Sequence, residues 1–305
     1  MQENKSNARF DTSLFNFMQG IIIQLQQMGK QRTSETYLCT LRSFSQFRKN
    51  KDVSLDEIDS DLMLMYEAYL HKRGLVKNST SFYMRILRAV YNRAVERELT
   101  LQRYPFKNVY TGVDKTFKRA MPLKTIKRIK NLDLSNNQSL SFARDMFLFS
   151  FYTRGMSFID IAYLRKKDLR NGVLLYRRRK TGQQLYIRWE KCMQEIVDRN
   201  NPDSNSPYLL PILKFPHCNH NHYRSALARV NRLLKTIAKL IGLEVPLTLY
   251  VARHSWASIA KSKNIPISVI SKGMGHDSEM TTQIYLSSLD NAVVDRANRL
   301  ILKEL

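Results

Sequence analysis

Apolar residues recur at helical spacing along most of this chain, and only one short stretch alternates in the manner of β-strands. The helical pattern runs through the first third, covers residues 139–153 and resumes after residue 191. Between these parts, two β-rich runs at residues 173–179 and 184–188 flank Lys180-Thr181-Gly182, a sequence typical of a hairpin turn. The pattern predicts a mainly α-helical protein with a small β component.

Two separate apolar patterns predict two domains. The chain has 305 residues, which is enough for two domains that each bury a core. Pro105 ends the first helical block, and residues 107–120 are polar, basic and weakly periodic, as in a linker. We therefore expect a helical domain over residues 1–106, a linker over 107–120 and a mixed α/β domain over 121–305.

The charge of the chain indicates its class of partner. Its 50 Lys and Arg residues against 26 Asp and Glu give a net charge of +24, which favours a polyanion, most often nucleic acid. Most of this excess lies beyond residue 110. An anionic membrane is the alternative, but the chain has no sustained basic amphipathic helix with Trp or Phe anchors and no apolar run near the length of a membrane span. Composition favours nucleic acid.

The N-terminal residues and the cysteines indicate the cellular compartment in which the protein is expected. Residues 1–6 lack the apolar segment of a secretory signal, and Cys39, Cys192 and Cys218 form no CxxC pair. Both features favour a reducing cytoplasm.

A histidine-rich stretch at residues 217–222 (His-Cys-Asn-His-Asn-His) suggests a metal site. Its spacing is too tight for the usual paired-ligand pattern, and no second cysteine pair completes a tetrahedron. We expect a polar loop that caps the following helix, and neither a metal nor another cofactor.

Four motifs in the second half of the chain point to a reaction. They are TRGMSFIDIAYLR at 153–165, RKTG at 179–182, YVARHSWAS at 250–258, and GMGH at 273–276 followed by TTQIYL at 281–286. In this order and spacing they resemble the tyrosine recombinases, the phage integrase family of DNA strand-exchange enzymes, and in particular a branch carried on mobile elements. The resemblance covers nearly the whole chain. It implies a helical, SAM-like core-binding domain followed by an α/β catalytic domain.

Metal-free cleavage of a phosphodiester makes definite demands on side chains. It needs a nucleophile, a proton donor for the leaving 5′ oxygen, and cations around the phosphoryl oxygens, for which arginine is best suited. A tyrosine nucleophile, with an ordinary pKa of about 10, needs neighbouring positive charge. The resemblance assigns Tyr285 as the nucleophile, Arg253 as a phosphate-clamping arginine and His276 as a hydrogen-bond donor to the scissile phosphate. A buried salt bridge to Glu244 is the alternative for Arg253.

Further basic residues are candidates for DNA contact. The resemblance gives Lys180, at the hairpin turn, the role of protonating the leaving 5′ oxygen, and a solvated basic turn is the alternative. The expected phosphate contacts beside it are Arg177, Arg178 and Arg179. Apolar spacing also predicts a helix from Asn78 to Ala94, whose expected phosphate contacts are Arg85, Arg88 and Arg93. For the last three, a solvated helix face is the alternative.

Two positions near Arg253 depart from or extend the family pattern. Tyr250 stands where the family usually has histidine, three residues before the arginine. Its hydroxyl can hydrogen-bond a phosphate or the nucleophile, but it carries no positive charge. His254 is expected to be structural.

The first motif departs further. Aligned from Leu164, the family string TGLR-S-E--L puts Asp160 on the acidic position and Ser157 on that of a catalytic arginine. The nearest arginine is Arg154, which we predict as the substitute, either on the same helix face as Ser157 or turned inward at Gly155.

The alternative reading makes Arg154 a surface or interdomain residue and Ser157 a helix cap. In that case another basic residue, such as Arg179 or Lys180, has to supply the charge.

The expected reaction is site-specific recombination through a 3′-phosphotyrosine and a free 5′ hydroxyl, with no metal, ATP or cofactor. The resemblance implies a tetramer on two double-stranded DNA sites. Apolar residues over 290–305 predict a tail helix that packs on a neighbouring protomer or on its own core. A type IB topoisomerase and a catalytically silent DNA-binding protein are the alternatives.

Overall fold

The computed structural model describes residues 13–114, 119–200, 206–213, 220–276, 278–286 and 302. The chain divides into two compact units between Lys115 and Thr116. Its described part is mostly helical with one three-stranded sheet, which confirms the predicted fold class. Residues 217–219 of the histidine-rich stretch and nearly all of the predicted tail lie outside the described residues.

Four α-helices build the first unit, as their apolar spacing predicts. They are α1 (Leu14–Gln27), α2 (Gln31–Phe47), α3 (Ser60–Lys72) and α4 (Lys77–Glu96). Phe44 of α2 and Tyr66 of α3 are fully buried with their rings edge to face, 5.0 Å between centroids. The Tyr66 hydroxyl donates to Ser43 Oγ at 2.8 Å, so its polar end is satisfied inside an apolar core.

The first part of the predicted linker packs against this unit. Val109 belongs to its core, and the Tyr110 amide donates to Glu67 Oε1 at 2.9 Å. The Asn78 side chain exchanges two hydrogen bonds with the backbone of Asp114, at 2.9 and 2.7 Å. The linker was predicted here from polar composition. Composition does not show which side chains anchor a segment to a neighbouring domain.

The second unit contains a helical core and a small sheet. Its elements are α5 (Leu123–Lys130), α6 (Gln138–Tyr152), α7 (Phe158–Ala162), β1 (Leu169–Arg170), β2 (Val173–Arg177), β3 (Gln184–Arg188), α8 (Lys191–Asn200), α9 (His220–Leu240), α10 (Leu249–Ser262), α11 (Ile267–Met274) and α12 (Glu279–Leu286). None of the helices in the described ranges is long and apolar enough to cross a membrane.

The sheet is antiparallel in the order β1-β2-β3. Residues of β2 and β3 alternate between exposed and buried, and Tyr176 on the buried face is paired with Leu185. The two longer strands are the predicted hairpin. The two-residue strand β1 was not predicted, because it is too short to show a period.

Helix α6 lies at the centre of the core and carries one buried acid. Asp145 accepts hydrogen bonds from Arg199 Nε at 3.1 Å and Asn200 Nδ2 at 2.7 Å, both at the end of α8, and pairs with Arg144. A buried carboxylate is tolerated only with such partners, so this network fixes α8 against α6.

Replacing Asp145 by alanine should therefore lower the free energy of unfolding by about 2 kcal/mol, since Asn200 and Arg144 lose a buried acceptor while half-exposed Arg199 returns to water. Urea denaturation of the intact chain measures the change. The control is Glu195→Ala on exposed α8 surface, which should stay within about 0.5 kcal/mol of the wild type. Equal effects of the two substitutions would contradict a stabilising role for the network.

Candidate active site

Arg253 is buried on α10, and backbone carbonyls from two other segments hold its guanidinium. Nη1 donates to the Gly155 carbonyl at 2.7 Å and Nη2 to the Met274 carbonyl at 2.8 Å. The residue is only 6% exposed. Glu244, the acid that the sequence offered as a partner, lies exposed to solvent. A charge this deeply buried and this firmly bonded is fixed before any ligand arrives.

The chain reaches Arg253 through a turn that requires glycine. Helix α6 ends at Tyr152, and Arg154 and Gly155 both adopt left-handed backbone conformations, with φ of +62° and +77°. A Cβ on Gly155 would lie 2.8 Å from the Cα of Arg253. Of the two local geometries expected for the first motif, the break at Gly155 is confirmed. The helical continuation that would put Arg154 and Ser157 on one face is wrong.

His276 lies directly beside Arg253. Its Nε2 is 2.9 Å from Arg253 Nη2, and its Nδ1 is 2.7 Å from the hydroxyl of buried Thr282 on α12. Because a guanidinium only donates, Nε2 must accept in this arrangement. The proton then lies on Nδ1 and is donated to Thr282, a tautomer that follows from the bonding partners.

The β2–β3 hairpin docks onto the loop that carries His276. Gly275 has a φ of +65°, and a Cβ there would lie 2.8 Å from Leu185 Cδ1 and 3.4 Å from Arg178 Cδ. Arg178 is only 8% exposed, and its Nη1 donates to the Gly275 carbonyl. The sequence interpretation treated Arg177, Arg178 and Arg179 alike as phosphate contacts, whereas the structure separates buried Arg178 from its two exposed neighbours.

The other hairpin cations face outward. Arg177, Arg179 and Lys180 are exposed, with Lys180 at the turn as predicted. The guanidinium of Arg179 stacks on the Tyr163 ring, 4.0 Å from its centroid. These residues are available to a polyanion at the rim of the site.

Asp160 connects the first motif to this hairpin. Its buried carboxylate accepts hydrogen bonds from the Ser157 hydroxyl and, at 2.9 Å, from the backbone amide of Arg179. The acidic position of the motif thus anchors the hairpin. Ser157, at the family's arginine position, is bonded to a neighbour within the same motif.

Three further predicted residues surround this centre. Arg154 is partly exposed, and its Nη1 donates to the Tyr186 carbonyl of β3 at 3.3 Å. Tyr250 is 58% exposed, and its ring contacts buried His254 edge to face at 4.3 Å between centroids. Arg154 and Tyr250 are therefore both accessible from solvent.

Tyr176 is a member of this cluster that sequence reasoning missed. Burial raises the pKa of its phenol well above the ordinary value, and the charge of Asp160 raises it further, while Arg253, Arg178 and Arg154 lower it. The phenol of Tyr176 therefore lies within electrostatic reach of all three arginines. The alternation of β2 places Tyr176 on the inner face, but its charged neighbours come from distant parts of the chain.

The remaining predicted residues either belong to the first unit or have a side chain outside the described residues. The backbone of Tyr285 belongs to α12, one helical turn after Thr282, but its side chain lies outside the described residues. In the first unit, Arg85 and Arg88 are exposed on α4 and Arg93 is partly exposed. No group of three metal-ligating side chains occurs in the described part of the chain.

Comparison with known proteins identifies the family. The profile described as "Phage integrase family" matches residues 121–292, and that of the "Phage integrase SAM-like domain" matches residues 13–110. The first match alone spans more than half of the chain. The chain therefore belongs to the phage integrase family, the tyrosine recombinases, which confirms the resemblance drawn from its motifs. It is accordingly an enzyme that breaks and rejoins DNA strands.

Similar individual proteins support the same fold. Tyrosine recombinase XerC of Leptospira interrogans is 21% identical over 275 residues, 87% of this chain and 86% of that protein. The integrase of the Tn1549 transposon, solved with a circular intermediate DNA, has a TM-score of 0.68 at 17% identity and covers 97% of this chain and 100% of its own. A lambda integrase tetramer bound to a Holliday junction has a TM-score of 0.68 at 15% identity, covering 93% of this chain and 80% of its own.

The close approach of Gly155 to Arg253 yields a matched test. Gly155→Ala should reduce DNA cleavage by about 100-fold or more, because the new Cβ displaces the guanidinium. Gly172→Ala is the control, since Gly172 has a φ of +71° but open space around its Cα. Both variants should lose about 1 kcal/mol of stability through the left-handed backbone, and Gly155→Ala should lose more because its Cβ also meets Arg253.

Single-turnover cleavage and urea denaturation measure the two effects. Similar cleavage by the two alanine variants would show that Arg253 does not depend on the Gly155 turn.

Proposed function

We propose that this protein is a site-specific DNA recombinase that cuts and rejoins strands through a 3′-phosphotyrosine formed on Tyr285. The observation that carries the proposal is the direct contact of Arg253 with His276, two residues that are 23 positions apart and belong to separate motifs. A preorganised guanidinium beside an imidazole suits a phosphoryl group that gains negative charge in its transition state. Helix α12, which holds the imidazole through Thr282, also carries Tyr285.

The proposed cleavage step balances without a metal or a nucleotide. The Tyr285 hydroxyl oxygen attacks the scissile phosphorus, and the bond from phosphorus to the 5′ oxygen breaks. The phenolic proton passes to water, and the Lys180 ammonium supplies the proton that the 5′ oxygen takes up. A 5′ hydroxyl from a partner strand then attacks the phosphotyrosine and gives its proton to the neutral Lys180 amine, while the leaving Tyr285 oxygen takes a proton from water. This step restores a phosphodiester. Because one ester replaces another, the bond energy is conserved.

His276 has to change its hydrogen bonding when a phosphate binds. In the observed arrangement Nε2 accepts from Arg253, whereas a bond to a phosphate oxygen requires a proton on Nε2. The Thr282 hydroxyl is both donor and acceptor, so it can bond Nδ1 in either tautomer while the ring stays in place. We infer that Thr282 is a positioning residue that permits this exchange.

Thr282→Val should therefore reduce the cleavage rate by about 10-fold, the effect of one lost hydrogen bond, and leave DNA affinity nearly unchanged. Thr282→Ser keeps the hydroxyl and should restore most of the rate. Single-turnover cleavage at saturating protein measures both variants. A serine variant as slow as the valine variant would show that the side chain acts by packing alone.

Double-stranded DNA is the proposed substrate, and the assembly is proposed to be a tetramer on two sites. The net charge of +24 and the exposed cations of the hairpin and of α4 support DNA binding. The lambda integrase tetramer, at a TM-score of 0.68, supports the stoichiometry. We expect the protein to act in the cytoplasm, on the nucleoid. The family match favours recombination over the topoisomerase alternative.

Tyr285→Phe tests the function directly. The variant should bind DNA as the wild type does, since the hydroxyl adds little to an interface dominated by phosphate contacts, and should form no covalent adduct. A nicked duplex that traps the intermediate, followed by denaturing electrophoresis, detects the adduct. An SDS-resistant protein–DNA band from this variant would contradict the assignment of the nucleophile, and a wild type without the band would support the silent DNA-binding alternative.

A further inference from the structure

Arg178 is a buried arginine that the proposed reaction leaves without a role. Its guanidinium donates to the Gly275 carbonyl, and within the described residues it forms no ion pair. At 8% exposure, a guanidinium loses most of its hydration. A single carbonyl replaces little of that loss, so burial at this position indicates an anionic ligand.

The position of Arg178 indicates which anion it would bind. Arg253 bonds the Met274 carbonyl and Arg178 bonds the next carbonyl along the chain, that of Gly275, at the C-terminal end of α11. His276 follows directly and contacts Arg253. The segment Met274 to His276 thus bonds the guanidinium groups of Arg253 and Arg178 through two successive carbonyls and supplies the imidazole of His276. Both arginines also lie within electrostatic reach of the phenol of Tyr176, whose pKa they lower.

We propose that Arg178 is the second phosphate-binding arginine of this enzyme, supplied by the β2–β3 hairpin in place of an arginine at the position of Ser157. This inference rests on the proposed function. It makes Arg178 a catalytic residue that contacts a non-bridging oxygen of the scissile phosphate together with Arg253. Loss of one such donor costs an enzyme about 100- to 1000-fold in rate.

The fold holds Arg178 in place from two sides. The Asp160 carboxylate fixes the hairpin through the backbone amide of Arg179, the residue after Arg178. On the other side, Leu185 and Arg178 pack against Gly275 so closely that a Cβ there would collide. A cation held in this way needs little reorganisation when the phosphate arrives, which is the condition for strong electrostatic catalysis.

Arg154, the substitute predicted from the sequence, is the competing candidate. It is partly exposed, and its guanidinium donates to the Tyr186 carbonyl at 3.3 Å. Arg178 is more deeply buried, and its carbonyl partner is the residue next to His276. A purely structural role is the second competitor, because a basic side chain at a helix C-terminus also caps its free carbonyls.

The test compares a charged with an uncharged scissile group. The probe is a nicked duplex, with a target sequence that the wild-type protein selects by binding from a randomised pool. It is made with either a phosphate or a neutral methylphosphonate at the scissile position. Arg178→Ala should cleave the phosphate about 100-fold more slowly than the wild type and the methylphosphonate less than about 10-fold more slowly, because no charge then needs compensation. The control is Arg232→Ala, an exposed arginine on α9, which should stay within about 3-fold of the wild type on both substrates.

Each other outcome overturns the inference. An equal loss on both substrates would assign Arg178 to helix capping, and a charge-selective loss in Arg154→Ala with none in Arg178→Ala would transfer the role to Arg154. If thermal denaturation shows that Arg178→Ala is not folded, Arg178→Lys and Arg178→Gln are compared instead. The charge-selective loss is then expected in the Gln variant. A wild type that forms no adduct on the phosphate duplex overturns the proposed function itself.

Discussion

The buried guanidinium of Arg253 is the interaction on which the catalytic unit depends. It joins the end of α6 through Gly155, the end of α11 through Met274, and the imidazole of His276. Removing a charge from water costs several kcal/mol unless it is well bonded, so these segments are constrained to keep their carbonyls aimed at it. Gly155 is required there because its backbone is left-handed and its Cα approaches that of Arg253 too closely for any side chain. The same contacts that stabilise the unit also prepare a site for phosphate.

A second layer of contacts brings the hairpin to this centre. Asp160 bonds the backbone of Arg179, and Gly275 accepts close packing from the hairpin side chains. As a result, the buried arginine of the hairpin and the arginine of α10 bond consecutive carbonyls, those of Gly275 and Met274, while the exposed Lys180 remains at the turn. Charge compensation and proton donation would then come from one short β element, held by the Asp160 carboxylate on one side and by packing on Gly275 on the other.

The sequence predicted most of the helices and strands, but it predicted the surroundings of individual side chains less completely. Helical spacing predicted α1 to α4 because each of them buries one stripe, and α6 was predicted as an apolar helix buried over most of its length. The motif order identified the family. Alternation over residues 173–179 puts Arg178 on the same face as Leu174 and Tyr176, a signal that could have separated it from Arg177 and Arg179. Its bonding partner could not be predicted in this way, because Gly275 lies almost 100 residues away. For the same reason Tyr176 was missed. The anchoring of residues 107–114 depends on side chains such as Glu67 and Asn78, which composition does not single out.

The central claim is that Arg253, Arg178 and His276 act on one phosphate that becomes bonded to Tyr285. A crystal or cryo-EM structure of the covalent complex on a nicked duplex tests it most directly. The account predicts a 3′-phosphate on Tyr285 with both guanidinium groups and His276 Nε2 within about 3 Å of its non-bridging oxygens, the usual length of a charge-assisted hydrogen bond. A phosphotyrosine at another residue, or one that Arg178 does not reach because it stays bonded to Gly275 alone, would contradict it.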